Sequence, residues 1–453
     1  MSQNKQNYKL GLSIIALALA LSYWSIQKWL ITAPQPLPQR PTSAIENSLN
    51  DGFYNEISIL ASQKNNYLRA DYRIWIPDGV KKIRGLIVKQ HGCGNGNSPG
   101  LNHANDPQWQ ALASKHQFAL VGTRLPQEYP MCTNKALVDR AAEDTFLKAI
   151  SMLARKSHHQ ELNTVPWIMW GHSGGADWGT QMLEHYPEKT IAVINVHSGG
   201  IRSTSGNSEI FNLDLNSKLT ANLLKTPVLW FVGAKDHCVE ECVNLPKAIF
   251  DKFNQENALW ALAIGPNATH ETGDTRLLAI PYLDAIARVR LNDKGELRPL
   301  NPARGWIGNI VSKKVVLAEQ YRGNPNEAVW LPDEETALKW QQYVTSNKIY
   351  PLKKPNAPTN VTVTEISSTT KLIEWNFTPD LENGLPNFRI YRNGSLIKTL
   401  AGQSHDYGDV TDSPYPILEF QDSTASPNST YTVAAFNQLG ESVSAPAAST
   451  SDF

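Results

Sequence analysis

The chain has 453 residues, with 42 lysines and arginines against 42 aspartates and glutamates, for a formal net charge of zero. That length exceeds what one ordinary core fills, so two folded domains are expected. The balanced charge argues against nucleic acid as a partner, since no basic excess exists to neutralise phosphates; the hydrophobic content of 41% is ordinary for a globular protein.

At the N-terminus, Lys5 and Lys9 precede an uncharged run from Leu10 to Ile26 that contains Ala18-Leu19-Ala20. Positive charges, an apolar stretch and an A-x-A site describe a secretory signal. The run continues past that site through Tyr23 and Trp24 to Lys28, which also suits an uncleaved anchor of minimal length. Residues 1–31 are therefore read as a signal peptide or a membrane tether through residues 10–31, and both deliver the remainder outside the cytoplasm. Residues 32–48, with four prolines between Ala33 and Pro41, read as an extended linker.

From about residue 49 to 291, short apolar runs alternate with helical periodicities. Tyr72-Arg73-Ile74-Trp75-Ile76 alternates polar and apolar, as an edge strand with one wet face should. Gly85-Leu86-Ile87-Val88 and Phe118-Ala119-Leu120-Val121 are continuous apolar runs of the kind buried on both faces. Between residues 136 and 156, Val138, Ala142, Phe146, Ile150 and Leu153 recur at helical spacing. Further strands are expected at 165–170, 191–196, 228–232 and 259–264. Such alternation implies an α/β domain with a mostly parallel sheet covered on both faces, its site at the carboxyl ends of the strands.

Directly after the 165–170 strand comes Gly171-His172-Ser173-Gly174-Gly175, followed by an amphipathic stretch to Tyr186. A G-x-S-x-G between strand and helix is the nucleophile elbow of an α/β-hydrolase, and Ser173 is its candidate nucleophile. The turn is so tight that its neighbours have room for almost no side chain, which the glycines satisfy. A serine hydroxyl needs a histidine to take its proton and a carboxylate to orient that histidine, in the chain order serine, acid, histidine. Asp236 follows the 228–232 strand, and His270 lies on the loop after the 259–264 strand. His172, His197 and His237 are competing histidines; His197-Ser198-Gly199-Gly200 echoes the elbow with Val196 where its first glycine should be. Glu240, Glu241 and Asp274 are fallback acids, better read as solvated loop residues.

Two backbone N–H groups must also face the developing oxyanion. Gly174 supplies one, and His91-Gly92-Cys93-Gly94 matches the HG-type loop, with Cys93 as the second donor. For the four cysteines, Cys93, Cys132, Cys238 and Cys242, export favours disulfides, and three pairings exist. Cys93–Cys132 with Cys238–Cys242 is preferred because each of the four follows a strand. Zinc is a poor rival on ligand spacing, and four free thiols remain open. No cofactor or metal is expected.

Residues from about 69 to 289 resemble a bacterial secreted α/β-hydrolase, and the His91-Gly92-Cys93 loop is similar to that of polyhydroxybutyrate depolymerases and feruloyl or acetylxylan esterases. The resemblance implies serine hydrolase chemistry. The elbow departs from the G-x-S-A-G-G form of depolymerases, which ranks polyesters behind small carboxylic, feruloyl or acetyl-polysaccharide esters. Trp170 and Trp178 flank the elbow; they are candidates to stack on a flat substrate, though core packing is the commoner fate of tryptophan.

Residues 292–354, with Trp306, Trp330, Trp340 and a helix expected over 331–346, read as an appendix packed on the hydrolase and shaping the site mouth. From 355 to 453 the character changes to short alternating segments, such as Leu372-Ile373-Glu374-Trp375 and Phe388-Arg389-Ile390-Tyr391, with Asn393-Gly394 as a hairpin signal. That pattern means a β-sandwich, and it resembles an all-β fibronectin type III module whose partner is open. The leading expectation is an exported or tethered serine carboxylesterase working through acyl-Ser173 on an ester, polymeric or plant-polysaccharide substrates included. A serine peptidase of the same fold and a non-catalytic adhesion protein with a relic hydrolase domain are the alternatives.

Overall fold

In the computed structural model, which describes residues 52–61, 67–92, 100–126, 140–198, 218–383, 386–401 and 418–449, the apolar runs pair into one eight-stranded sheet. Its strands are β1 (Gly52–Leu60), β2 (Arg69–Pro77), β3 (Gly85–Gln90), β4 (Phe118–Arg124), β5 (Trp167–His172), β6 (Thr190–Val196), β7 (Val228–Gly233) and β8 (Trp260–Gly265). They lie in the order β1-β2-β4-β3-β5-β6-β7-β8. β2 runs antiparallel to both neighbours, and β4, β3 and β5 to β8 are all parallel. Parallel strands need crossovers, which the helices α1 (Pro107–His116), α2 (Arg140–Lys156), α3 (Gly174–His185), α4 (Lys218–Leu224) and α5 (Leu245–Asn254) help to supply, with α6 (Arg276–Arg290) following β8. This mixed, mostly parallel sheet fits the expected α/β-hydrolase fold.

One local expectation changes, and one open choice is decided. Tyr72–Ile76 is no edge: β1 pairs along the whole of β2, from Gly52↔Pro77 to Leu60↔Arg69, and β2 is buried throughout. Its polar residues alternate because they are ion-paired, Arg73 with Glu56 (2.5 Å) and Asp71 with Arg69 and Arg124 (both 2.8 Å). Charges on a buried strand require such partners. Trp170 and Trp178 are core residues, not a stacking platform. Trp170 lies edge-on to Trp109, and Trp178 packs on Phe146 with ring centres 5.2 Å apart. The Lys89 ammonium on β3 lies between the Trp109 and Trp170 rings, 4.6 and 4.4 Å from their centres, and pairs with Asp106 at 3.8 Å. Asp106 also binds Arg276 and caps α1 by accepting from Gln108 N–H.

Past α6, a small sheet of β9 (Trp306–Asn309), β10 (Val315–Leu317) and β11 (Ala328–Leu331) precedes α7 (Glu334–Ser346), which Asp333 caps through Thr336 N–H. The helix expected over 331–346 starts at this cap, because Leu331 ends a strand. Val329, Leu331, Trp340 and Tyr343 belong to the same core as the large sheet, and Trp340 Nε1–H donates to Leu262 O of β8 at 2.8 Å. Residues 306–346 therefore help to cover the β8 end of the sheet.

A second core lies between two antiparallel sheets. One is β12 (Thr359–Ser367), β13 (Thr370–Asn376) and β16 (Glu419–Asp422); the other is β14 (Asn387–Arg392), β15 (Ser395–Leu400), β17 (Thr430–Asn437) and β18 (Gly440–Val443), with β19 (Ala447–Ala448) on β17. Asn393 and Gly394 join β14 to β15 with φ of +50° and +79°, the two-residue turn that suits strand twist. Its 380–383 turn leans on the first core: Gln108 Nε2–H donates to Leu381 O (3.1 Å), and Lys339 Nζ lies 4.0 Å from Glu382. No helix among the described residues is long and apolar enough to cross a membrane, and residues 1–31 lie outside that set.

Replacing the fully buried Trp340 by alanine removes a large side chain and leaves Leu262 O without its donor. The expected loss is about 3–5 kcal/mol, read as a lower urea midpoint at unchanged slope. A shift within error would mean that α7 is not part of the core under the large sheet.

Candidate active site

The serine turn is set by backbone crowding. A Cβ on Gly171 would stand 2.1 Å from Gly175 O, and one on Gly175 would stand 2.4 Å from Gln90 O, both backbone atoms that cannot swing aside. Only glycines allow β5, α3 and the end of β3 to approach so closely. Ser173 itself has φ +52° and ψ −126°, a conformation costing a non-glycine residue about 1–3 kcal/mol. Its N–H donates to Val196 O (2.8 Å) at the end of β6, and its carbonyl accepts from Ala176 N–H (2.8 Å). Those bonds hold the strained residue while its side chain stays partly exposed.

Asp236 and His270 are brought together. Asp236 follows β7 and His270 follows β8, and His270 Nδ1–H donates to Asp236 Oδ2 at 2.8 Å. With Nδ1 protonated, Nε2 is the nitrogen left to accept a proton. The Asp236 side chain is fully buried, whereas His270 is 25% exposed. Burial alone raises the Asp236 carboxyl, but the Cys238 N–H (2.9 Å from Oδ1), the hydrogen bond from His270 and the charge of protonated His270 outweigh it. The net pKa lies below the usual carboxylate value. Asp236 is thus held as the anion that an orienting acid must be. No hydrogen bond joins Ser173 Oγ to His270 among the described residues; such contacts are often loose without substrate and close when it binds. Ser173 directly follows His172, whose ring centre is 5.2 Å from that of His270.

The competing histidines have other places. His237 is 85% exposed, with Nδ1 3.9 Å from Asp236 Oδ1, and stands at the rim. His172 Nε2–H donates to the backbone oxygen of His270 (2.8 Å), and His197 Nε2–H donates to that of Glu271 (2.9 Å). Sequence reasoning noticed both residues and assigned neither a role; the H-S-G-G echo at 197–200 was the available signal.

Of the oxyanion candidates, Gly174 is the first residue of α3, whose leading N–H groups have no intrahelical partner and sit at the positive end of the helix dipole. Cys93 lies outside the described residues, as does Cys132. The start of the Cys93 loop is visible. Leu125 N–H donates to His91 Nε2 (3.0 Å), so Nδ1 carries the ring proton and donates to Gly92 O. A Cβ on Gly92 would come 3.1 Å from Ser173 Cβ, so this loop lies against Ser173.

Cys238 and Cys242 form a disulfide with Cα atoms 5.3 Å apart, across the helical turn Val239–Asn244 that follows the acid. Asp236, Cys242 and His270 are the single cluster of three potential metal ligands among the described residues. Its sulfur is committed to the disulfide and is no thiolate, so the donor set does not suit a metal.

No family model matches the chain, and no curated protein does. Among solved structures it is similar to a ferulic acid esterase, at 12% identity over 52% of this chain and 97% of that one, with a TM-score of 0.38. It is also similar to a thermostable esterase (16% identity, 47% of this chain and 54% of that one, TM-score 0.34). A third is the fluorophosphonate-binding serine hydrolase FphF of Staphylococcus aureus (13% identity, 52% and 98%, TM-score 0.35). Likenesses this weak assign no chemistry, which rests on the chain's own residues.

The lowered pKa of Asp236 fixes a pH dependence. Its folded value is below the unfolded value of about 3.9, so its stabilisation is full above that value and is lost as pH falls through the folded one. Asp236→Asn should therefore be less stable than wild type by about 1–3 kcal/mol at pH 7, with the difference shrinking below pH 4 in urea titrations. A difference constant from pH 7 to pH 3 would contradict the assignment.

Proposed function

We propose that this chain is a serine hydrolase cleaving carboxylic esters through an acyl-Ser173 intermediate. The observation that carries the reading is a strained serine on a glycine-bounded strand-to-helix turn, at the same sheet edge as an Asp236–His270 hydrogen bond of 2.8 Å. In the proposed cycle His270 Nε2 takes the Ser173 proton as Oγ attacks the ester carbonyl. Asp236 holds Nδ1–H and stabilises the imidazolium without taking the proton. The tetrahedral oxyanion turns toward Gly174 N–H and, on sequence grounds, Cys93 N–H, each donor worth about 3–4 kcal/mol. His270 then protonates the departing alkoxide, and water repeats the sequence to free the acid and Ser173. The scheme asks for no cofactor or metal.

Feruloyl, acetyl-polysaccharide and small carboxylic esters are the proposed substrates, on the resemblance of the His91-Gly92-Cys93 loop. Export, by a cleaved signal or a tether, is proposed for the N-terminus; the Cys238–Cys242 disulfide supports it, because such bonds persist in oxidising compartments. We further propose catalytic residues 49–291, a covering segment 292–354 and a fibronectin type III-like module 355–453, supported by the separate β core around Trp375. Such a module spaces or docks rather than reacts.

Ser173→Ala should lower kcat on p-nitrophenyl and feruloyl esters by about four to six orders of magnitude, and a fluorophosphonate probe should label wild type and not the variant. Equal labelling of both would remove Ser173 from the chemistry, and turnover of peptides with none of esters would move the reading to a peptidase.

A further inference from the structure

β5 and β6 end in the same four letters, His172-Ser173-Gly174-Gly175 and His197-Ser198-Gly199-Gly200, but not in the same register. His172 pairs with Val196 across the parallel ladder, so the residue beside the nucleophile Ser173 is His197. The two share a backbone device. Ser173 has φ +52° and donates its N–H to Val196 O of the next strand; His197 has φ +53° and donates its N–H to Phe231 O (3.0 Å) of the strand after that. A left-handed histidine costs energy that packing must offset, and such outliers gather at functional sites.

The turn aims a fully buried imidazole at the acid and base. His197 Nε2 lies 2.9 Å from Glu271 O, a contact that requires its proton. Nδ1 then carries a lone pair, lies 3.6 Å from Asp236 Oδ2 and has no hydrogen-bond partner among the described residues. His172 does the equivalent one residue earlier by donating to His270 O. Consecutive carbonyls of the His270 loop are thus held by imidazoles from two neighbouring strand ends. We propose that His197 is a positioning residue for the base: its Nε2–H fixes the Glu271 carbonyl and so keeps His270 over the elbow.

This inference rests on the proposed Ser173–His270–Asp236 chemistry and explains something that chemistry leaves open. The Asp236 hydrogen bond orients the His270 ring but does not fix the backbone carrying it, and a shift of about 1 Å at a reacting group can cost about 100-fold in rate. Burial is the largest influence on the His197 ring, followed by the neighbouring His172 and His270, and it pushes the pKa down to about 3. The ring therefore stays neutral through the working range and adds no second cation beside the imidazolium that forms on His270.

Two amide variants separate the ring nitrogens. Glutamine carries its N–H near the Nε2 position and asparagine near the Nδ1 position, and asparagine also tolerates the left-handed turn. On a p-nitrophenyl ester, His197→Gln should keep kcat within about threefold, whereas His197→Asn should lower kcat by about 10- to 100-fold at unchanged KM. Melting temperatures measured alongside would expose mere unfolding. Wild-type kcat in His197→Asn, or equal loss in both variants, would overturn the proposal. Inactive Ser173→Ala beside an unaffected His197→Asn would sink this inference and leave the esterase reading standing. Should the asparagine variant not fold, histidine ¹⁵N NMR of the wild-type chain decides: a neutral Nε2–H tautomer with a slowly exchanging proton is expected, and an Nδ1–H tautomer would contradict it.

Discussion

The approach of Gly171 and Gly175 is the constraint on which the rest depends. With backbone oxygens 2.1 and 2.4 Å from where their Cβ atoms would be, this corner has no room for side chains. Packing that tight, together with the Ser173 N–H bond to β6, keeps a serine at positive φ. Without both, nothing offsets the cost of that dihedral at a residue with a side chain. Strain at Ser173 is thus offset by the parallel sheet on which it sits, because β3, β5 and β6 all end at this point.

Everything else in the site is an answer to the same geometry. Parallel strands deliver their carboxyl ends to one edge, and the loops leaving β3, β5, β6, β7 and β8 bring Gly92, Ser173, His197, Asp236 and His270 there. Polar loops need tethers, and several are seen among the described residues. His91 ties the end of β3 to Leu125 by accepting its N–H, the Cys238–Cys242 disulfide closes the turn beyond Asp236, and His172 and His197 hold the carbonyls at 270 and 271. Three of these tethers are imidazoles, and burial pushes the pKa of His197 down to about 3, so its ring adds no charge beside Asp236.

The strands and the elbow were legible in the sequence because their signals are local: apolar runs of strand length, and glycines at fixed offsets. Ser173 is a candidate through the elbow pattern, and Asp236 and His270 through strand position and chain order. What was missed depends on partners far away in sequence. β1 looks unremarkable until it pairs with β2, and so Tyr72–Ile76 was misplaced at the edge. Trp170 and Trp178 take the core places that tryptophan usually takes, Trp170 against Trp109 and Trp178 against Phe146. The role of His197 needed the β5–β6 register, which no propensity encodes.

The most direct measurement is chemical trapping of the intermediate. Wild-type protein mixed with a p-nitrophenyl ester in excess should be quenched in acid within the first turnover, digested and mapped by mass spectrometry. The account predicts the acyl mass on the peptide carrying Ser173, at a level matching the nitrophenolate burst. Steady turnover with no acylated peptide, or with the acyl group on another residue, would contradict it.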